Sequence, residues 1–205
     1  MATYPDVVTD SPPRIVQAGP GDRDEQAFAD RISEIRRHVW RPEVTLSDVP
    51  APHRLAPYTA AMTAEVEVAG VEVGSGRLVI LHDPQGEPTW PGCHRVVAFI
   101  RATLEADLAD DPMLPDVAWS WLEEALADAP HESLGGTVTR SSGHAFGQMA
   151  GEPVTGLVEI RASWSPLGDG PLLSHAQSWI SVMETASGLP PAVSAVPRLT
   201  HRGGL

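Results

Sequence analysis

The sequence predicts an α+β fold of two layers: a mostly antiparallel sheet of five or six strands with helices packed on one apolar face. Two observations predict it. Residues 155–166, TGLVEIRASWSP, alternate: Val158, Ile160, Ala162 and Trp164 fall on one side of an extended chain, and Leu157, Glu159, Arg161 and Ser163 fall on the other. That is the period of a half-buried strand. Three other stretches carry apolar residues at steps of three and four, and their places among the strands give the order α-β-β-β-α-β-β-α. At 205 residues and 42% hydrophobic, the chain suits one core, burying about 70% of the surface that its unfolded form would expose.

Residues 1–21, rich in Pro, Asp and Thr without periodicity, read as a disordered N-terminal tail. A single domain over 22–196 and a C-terminal tail over 197–205 complete the division. Asp22 or Asp24 can cap a first helix whose stripe is Phe28, Ile32, Ile35 and Val39, and Arg41-Pro42 stops it. Residues 43–46 suit a short edge strand, and Pro50, Pro52 and Pro57 then mark a loop that cannot enter a sheet interior. Alternation returns with Ala60, Met62, Ala64, Val66 and Val68 on one side and Thr59, Thr63, Glu65 and Glu67 on the other. Gly70 and Gly74-Ser75-Gly76 read as the turn into residues 77–82, whose core side is either Leu78 and Ile80 or Val79 and Leu81. Residues 83–92 form a loop and 95–104 a third long strand.

Asp110, Asp111, Pro112, Pro115 and Asp116 announce a second helix that runs to about Ala129 and is closed by Pro130. A strand over 134–140 pairs with the one over 157–164 across a loop at 141–154. The third helix, over 171–187, buries Leu172, Ala176, Trp179, Ile180, Met183 and Ala186 and stops at Gly188.

Charge narrows the chemistry. The net charge is -13, and all 14 of the Lys+Arg residues are Arg. Without lysine there is no phosphate-loop lysine, no kinase ATP lysine, no Schiff base and no Ser-Lys nucleophile pair. Acidity disfavours nonspecific binding to nucleic acid or anionic membrane, because such binding neutralises phosphates. The basic cluster Arg31, Arg36, Arg37, His38 and Arg41 is interleaved with Asp24, Glu25, Asp30 and Glu34 at helical spacing, which reads as a solvated face. No apolar run approaches the roughly 20 residues of a membrane span, and the N-terminus has no basic and apolar leader, so the expected location is cytoplasmic. The single cysteine, Cys93, precludes an internal disulfide and agrees with a reducing compartment.

Several segments in order carry a family resemblance: RPEV at Arg41, RLAPY at Arg54, GRLVILHDP at 76–84, WSWL at 119–122, GGTVTR at 135–140 and EIRASWSP at 159–166. Together, over about residues 24–197, they resemble the actinobacterial domain-of-unknown-function 3000 family. The resemblance implies no activity and no catalytic residue. It does bring an association with a ribonuclease D-like exonuclease, which implies an accessory role in RNA processing. The order of elements is also similar to the type III secretion chaperone-like arrangement, whose members are commonly small, acidic, dimeric and non-catalytic.

Four constellations could carry function. His82-Asp83 and Cys93-His94 flank one loop and would meet if the flanking strands form a hairpin, supplying zinc-type ligands for a metal-assisted hydrolase, although the spacing fits no standard motif. Ser141, Ser142 and His144 offer a nucleophile and a base without a nucleophile-elbow motif. The outer sheet face offers Glu65, Glu67, Glu159, Arg161 and Ser163, with Thr137 and Thr139, as a polar platform without paired aromatics for RNA. On the second helix, Val117, Ala118, Trp119, Trp121, Leu122, Ala125 and Leu126 spread over roughly 200°, wider than packing on one sheet requires. Trp119, Glu123 and Leu126 are therefore expected to hold a partner, with Trp119 as the amphipathic anchor. The reading that follows is a non-catalytic protein-binding or assembly module without cofactor or resident metal. It recognises a polypeptide or forms a homodimer, and it binds neither membrane nor, in the main, nucleic acid.

Overall fold

The computed structural model describes residues 20–151, 154–168 and 170–190. The C-terminal tail expected at 197–205 and most of the N-terminal one lie outside the described residues. Helix α1 (Pro20–Arg37) begins inside the segment assigned to that tail. It buries Phe28, Ile32 and Ile35, as its stripe predicts. Val39, assigned to the same stripe, is 88% exposed, because the helix ends at Arg37 and the helical period no longer sets its direction.

The strands are β1 (Val44–Asp48), β2 (Tyr58–Val68), β3 (Val71–His82), β4 (His94–Leu104), β5 (His131–Gly143) and β6 (Thr155–Pro166). They form one six-stranded sheet in the order β1-β2-β3-β4-β6-β5, with every neighbouring pair antiparallel. The expected α+β class and element order are those of the molecule. A short α2 (Ala106–Ala109) precedes α3 (Leu114–Ala125), and α4 (Leu172–Ala186) lies across the sheet against β2, β3, β4 and β6, with α1 and α3 beside it. No helix among the described residues is long and apolar enough to cross a membrane.

The open register of β3 resolves toward Leu78 and Ile80, both fully buried under the helices. Gly74 and Gly76 are not a turn. They sit within β3, where a Cβ on Gly76 would lie 2.8 Å from the Phe99 carbonyl, 3.0 Å from Trp179 Nε1 and 3.1 Å from Met183 Sδ. Glycine therefore lets α4 settle onto the backbone, and Trp179 Nε1 donates to the Phe99 carbonyl at 3.2 Å. Gly76→Val should cost about 1 to 3 kcal/mol through overpacking, read as a lowered urea midpoint at unchanged slope.

The wide apolar arc of the second helix has two neighbours within the chain, because α3 packs against both α4 and β5. Ser178 of α4 donates to the Ala125 carbonyl at 2.6 Å and fixes one of these contacts. Under α4, Trp164 Nε1 donates to His175 Nδ1 at 3.1 Å. The imidazole therefore accepts through Nδ1 and carries its own proton on Nε2.

Candidate functional site

Strand alternation sends Ala60, Met62, Leu78, Ile80, Val96, Ala98, Ile100, Val158, Ile160 and Trp164 under the helices, all of them buried. The opposite side chains form a face that no helix among the described residues covers. Across its middle, Thr63, Arg77, Phe99, Arg161 and Thr137 are successive partners on β2, β3, β4, β6 and β5. The next row contains Ser75, Arg101, Glu159 and Thr139. Val97 and Ser163 form a third row with Gly135, and Val97 is 40% exposed.

The four arginines of this face are engaged differently. Arg77 donates to the Pro50 carbonyl at 3.0 Å, which draws the segment after β1 over that corner. Arg95 reaches across β6, donating to Ser163 Oγ at 2.6 Å, Ser165 Oγ at 3.3 Å and the Ser133 carbonyl at 3.2 Å. Burial lowers its pKa. Arg161 pairs with Glu159 at 2.8 Å and lays its guanidinium 5.4 Å from the centre of the Phe99 ring. Arg101 is exposed and makes no ion pair among the described residues.

Against these cations the face sets Glu65 and Glu159. Glu67 stays beside Glu65 as expected: the register shift at Val66 falls on β3, where the extra residue Val73 packs toward the core, so Glu67 and its partner Glu72 remain on the open face, Glu72 close to Ser75 and Arg101. The charges are divided along the face: Glu67 and Glu72 lie at the β2–β3 turn end, while Arg95 and Arg161 lie at the opposite end, beside Val97 and Phe99. The six strands also leave a depression of about 320 Å³ between β4, β6 and β5. Val97 and Phe99 form its apolar part, Arg161 and Ser163 its polar part, and Gly135 and Gly136 its side-chain-free rim.

The other candidates stand elsewhere. His82 and His94 are direct partners across the β3–β4 hairpin, as a meeting of these strands predicts. Their rings stack with centroids 4.3 Å apart, and Phe28 of α1 stacks on His82 at 5.6 Å. Three of the polar atoms turn to the backbone. His82 Nδ1 lies 3.1 Å from the Cys93 carbonyl, Cys93 Sγ contacts the Pro84 carbonyl, and Asp83 Oδ1 accepts from the Gln85 amide. Among the described residues no group of three His, Cys, Asp or Glu side chains is placed to hold a metal ion. The hydrolase reading of His82, Asp83, Cys93 and His94 therefore fails on geometry: stacked rings turn their faces, not their nitrogens, toward one another. Ser141 and Ser142 belong to β5, which runs to Gly143 through the start of the expected loop, and pair with Leu157 and Gly156.

Trp119 is half-buried and its Nε1 donates to Glu123 Oε1 at 3.0 Å at the surface of α3. Leu126 is a correction: at 1% exposure it is part of the core and cannot reach a partner. A larger groove, about 550 Å³, runs between α4 and the segment after α1. Its charges are already matched within the chain. Arg41 bonds Glu43 at 3.0 Å, Glu184 at 3.5 Å and the Pro190 carbonyl at 3.1 Å. Glu43 raises the Arg41 pKa, and burial raises that of Glu184. This RPEV segment is a clasp joining β1 to α4.

The molecule is thus of the class of small α+β domains with helices on one side of an antiparallel sheet and an open, arginine-bearing face on the other. Within that class the chain belongs to the family described as protein of unknown function (DUF3000), whose model matches residues 24–196. No curated protein and no solved structure matches it. The likeness to the type III secretion chaperone arrangement therefore remains one of element order.

The arginine face is the part of the site that sequence reasoning missed. Glu65, Glu159, Arg161, Ser163, Thr137 and Thr139 were legible by alternation. Arg77 required the β3 register, and Arg95, Val97, Phe99 and Arg101 required a choice between two faces of β4 that are both partly apolar. The available signal was the interleaved series Val96, Ala98, Ile100, Ala102, which is free of charge and so marks the buried side.

Proposed function

We propose that this protein is a non-catalytic cytosolic binding module that holds an acidic polypeptide against its open sheet face. The observation that carries the reading is the cluster Arg77, Arg95, Arg101 and Arg161 around half-buried Phe99 and exposed Val97, which brings guanidinium groups and apolar atoms together on a strongly acidic chain. Planar guanidinium groups suit carboxylates, and the aromatic ring between them gives a partner an apolar anchor. An acidic polypeptide fits better than RNA. Glu65 and Glu159 would oppose a phosphate backbone, and a single aromatic cannot stack successive bases.

Fluorescence anisotropy of labelled acidic peptides, titrated at several salt concentrations beside a labelled single-stranded RNA, tests this. Peptide binding that weakens with salt and falls at least about tenfold in Arg101→Glu supports it. RNA binding tighter than peptide binding, with a steep salt slope, would favour the accessory role in RNA processing instead.

Trp119 and Glu123 offer a second surface, for a second copy, because part of the indole remains exposed beside the carboxylate. Light scattering checks it: a wild-type dimer that Trp119→Arg dissociates without unfolding supports this interface, and a wild-type monomer removes it.

A further inference from the structure

The edge of the open face carries a more specific geometry. Among the described residues β5 is the last strand of the sheet and pairs only with β6. It runs for 13 residues. An edge strand presents a row of unpaired amides and carbonyls, and proteins ordinarily guard such rows with lysine, proline, bulges or covering elements. Among the described residues the guard here is local. A register shift between Glu132 and Gly135, with Ser133 at φ 53°, bends the first part of the strand. From Gly135 to Gly143 the pairing with β6 is regular and unbroken. The residues are Gly, Gly, Thr, Val, Thr, Arg, Ser, Ser and Gly, and the one charge among them, Arg140, is tied to α2, donating to the Ala109 carbonyl at 2.9 Å.

The depression opens at this edge. Its rim is Gly135, where a Cβ would meet nothing within 4 Å, and its wall and floor are Arg161, Ser163, Val97 and Phe99. Neighbouring strands lie about 4.8 Å apart, so a strand added outside β5 would run within side-chain reach of the depression across Gly135.

We propose that the acidic polypeptide docks by adding a strand to the β5 edge at residues 135–143, with one large apolar side chain passing over Gly135 into the depression against Phe99 and Val97, and a neighbouring carboxylate meeting Arg161. This rests on the reading of the open face as a polypeptide site and gives it a docking mode. Main-chain hydrogen bonds would supply affinity, and the depression would select one side chain. Charge complementarity commits the occupant to an acidic segment: the depression is bordered by the Arg161 guanidinium, with Arg95 beside it on Ser163.

The test uses the full chain and twelve-residue fluorescent peptides in which Asp and Thr alternate around a central Phe, Leu or Ala. Two controls have Lys in place of Asp, or proline at alternate positions. The Phe peptide should bind more tightly than the Ala peptide, and the proline and Lys controls should fail. Gly135→Leu fills open space without strain, so it should leave the urea midpoint unchanged while weakening the Phe peptide at least about tenfold. Arg101→Glu separates this proposal from the broader one. Weakening by Arg101→Glu with Gly135→Leu neutral leaves the arginine face as a site but overturns strand addition. Absence of binding across the peptide panel overturns both. A wild-type dimer in light scattering that Gly135→Leu dissociates would assign the edge to a second copy and likewise overturn the proposal.

Discussion

Trp164→Ala should lower the unfolding free energy by about 3 to 5 kcal/mol, the usual cost of truncating a large buried aromatic. Trp164 is fully buried at the inner face of β6, under α4. Two costs add. The indole leaves a cavity among rigid neighbours, and His175 Nδ1, which accepts from Trp164 Nε1 at 3.1 Å, becomes a buried acceptor without its donor. Trp164→Phe keeps most of the packing and loses the hydrogen bond, so it should cost less than the alanine variant. A denaturant titration showing less than about 1 kcal/mol for Trp164→Ala would contradict the place given to this residue at the centre of the core.

Acidification from pH 6.5 toward 4 should destabilise the protein through the same pair. Burial lowers the pKa of His175 to about 4, with His131 adding a smaller effect in the same direction. Above pH 6.5 the imidazole is neutral in both folded and unfolded chains and contributes no pH dependence. As pH falls through 6.5 the unfolded chain binds a proton that the folded one refuses until about pH 4, so stability is lost across that window and the loss levels off below it. The full effect is on the order of 3 kcal/mol. Burial also lowers the pKa of His82, stacked between Phe28 and His94, which steepens the slope in the same direction. Unfolding free energies measured at steps of pH should show the loss, and His175→Gln should flatten it. A wild-type profile flat from pH 6.5 to 4 would contradict the burial of a neutral imidazole.

The fold was legible wherever one face of an element is apolar and the other polar. β6 and β2 from Met62 to Glu67 follow their alternation, and α4 buries every residue named for it: Leu172, Ala176, Trp179, Ile180, Met183 and Ala186. Legibility fails where both faces have similar hydrophobicity or where backbone contact replaces side-chain contact. β3 and β4 carry Val, Leu, Ile and Phe on both sides, so the pattern alone did not fix which side meets the helices. Gly74 and Gly76 read as a turn because glycine's common use is in turns, while their role here, admitting α4 and its Trp179 to the sheet backbone, depends on a partner more than 80 residues away. The arc of α3 was legible but not its two neighbours within the chain. Leu126 was therefore assigned to a surface when the core had already taken it. Most of the candidate site lies on the two ambiguous strands, and for that reason the sequence showed its acids before its arginines.

The central claim is that the open sheet face is the binding surface. Backbone amide chemical shifts of isotope-labelled protein, followed as the Asp/Thr peptide with central Phe is added, test it most directly. The account predicts shifts concentrated at Val97, Phe99, Arg101, Thr137, Thr139 and Arg161, with the helix side silent. Shifts concentrated instead at Trp40, Ser181 and Thr185, which line the groove between α4 and the segment after α1, would contradict it.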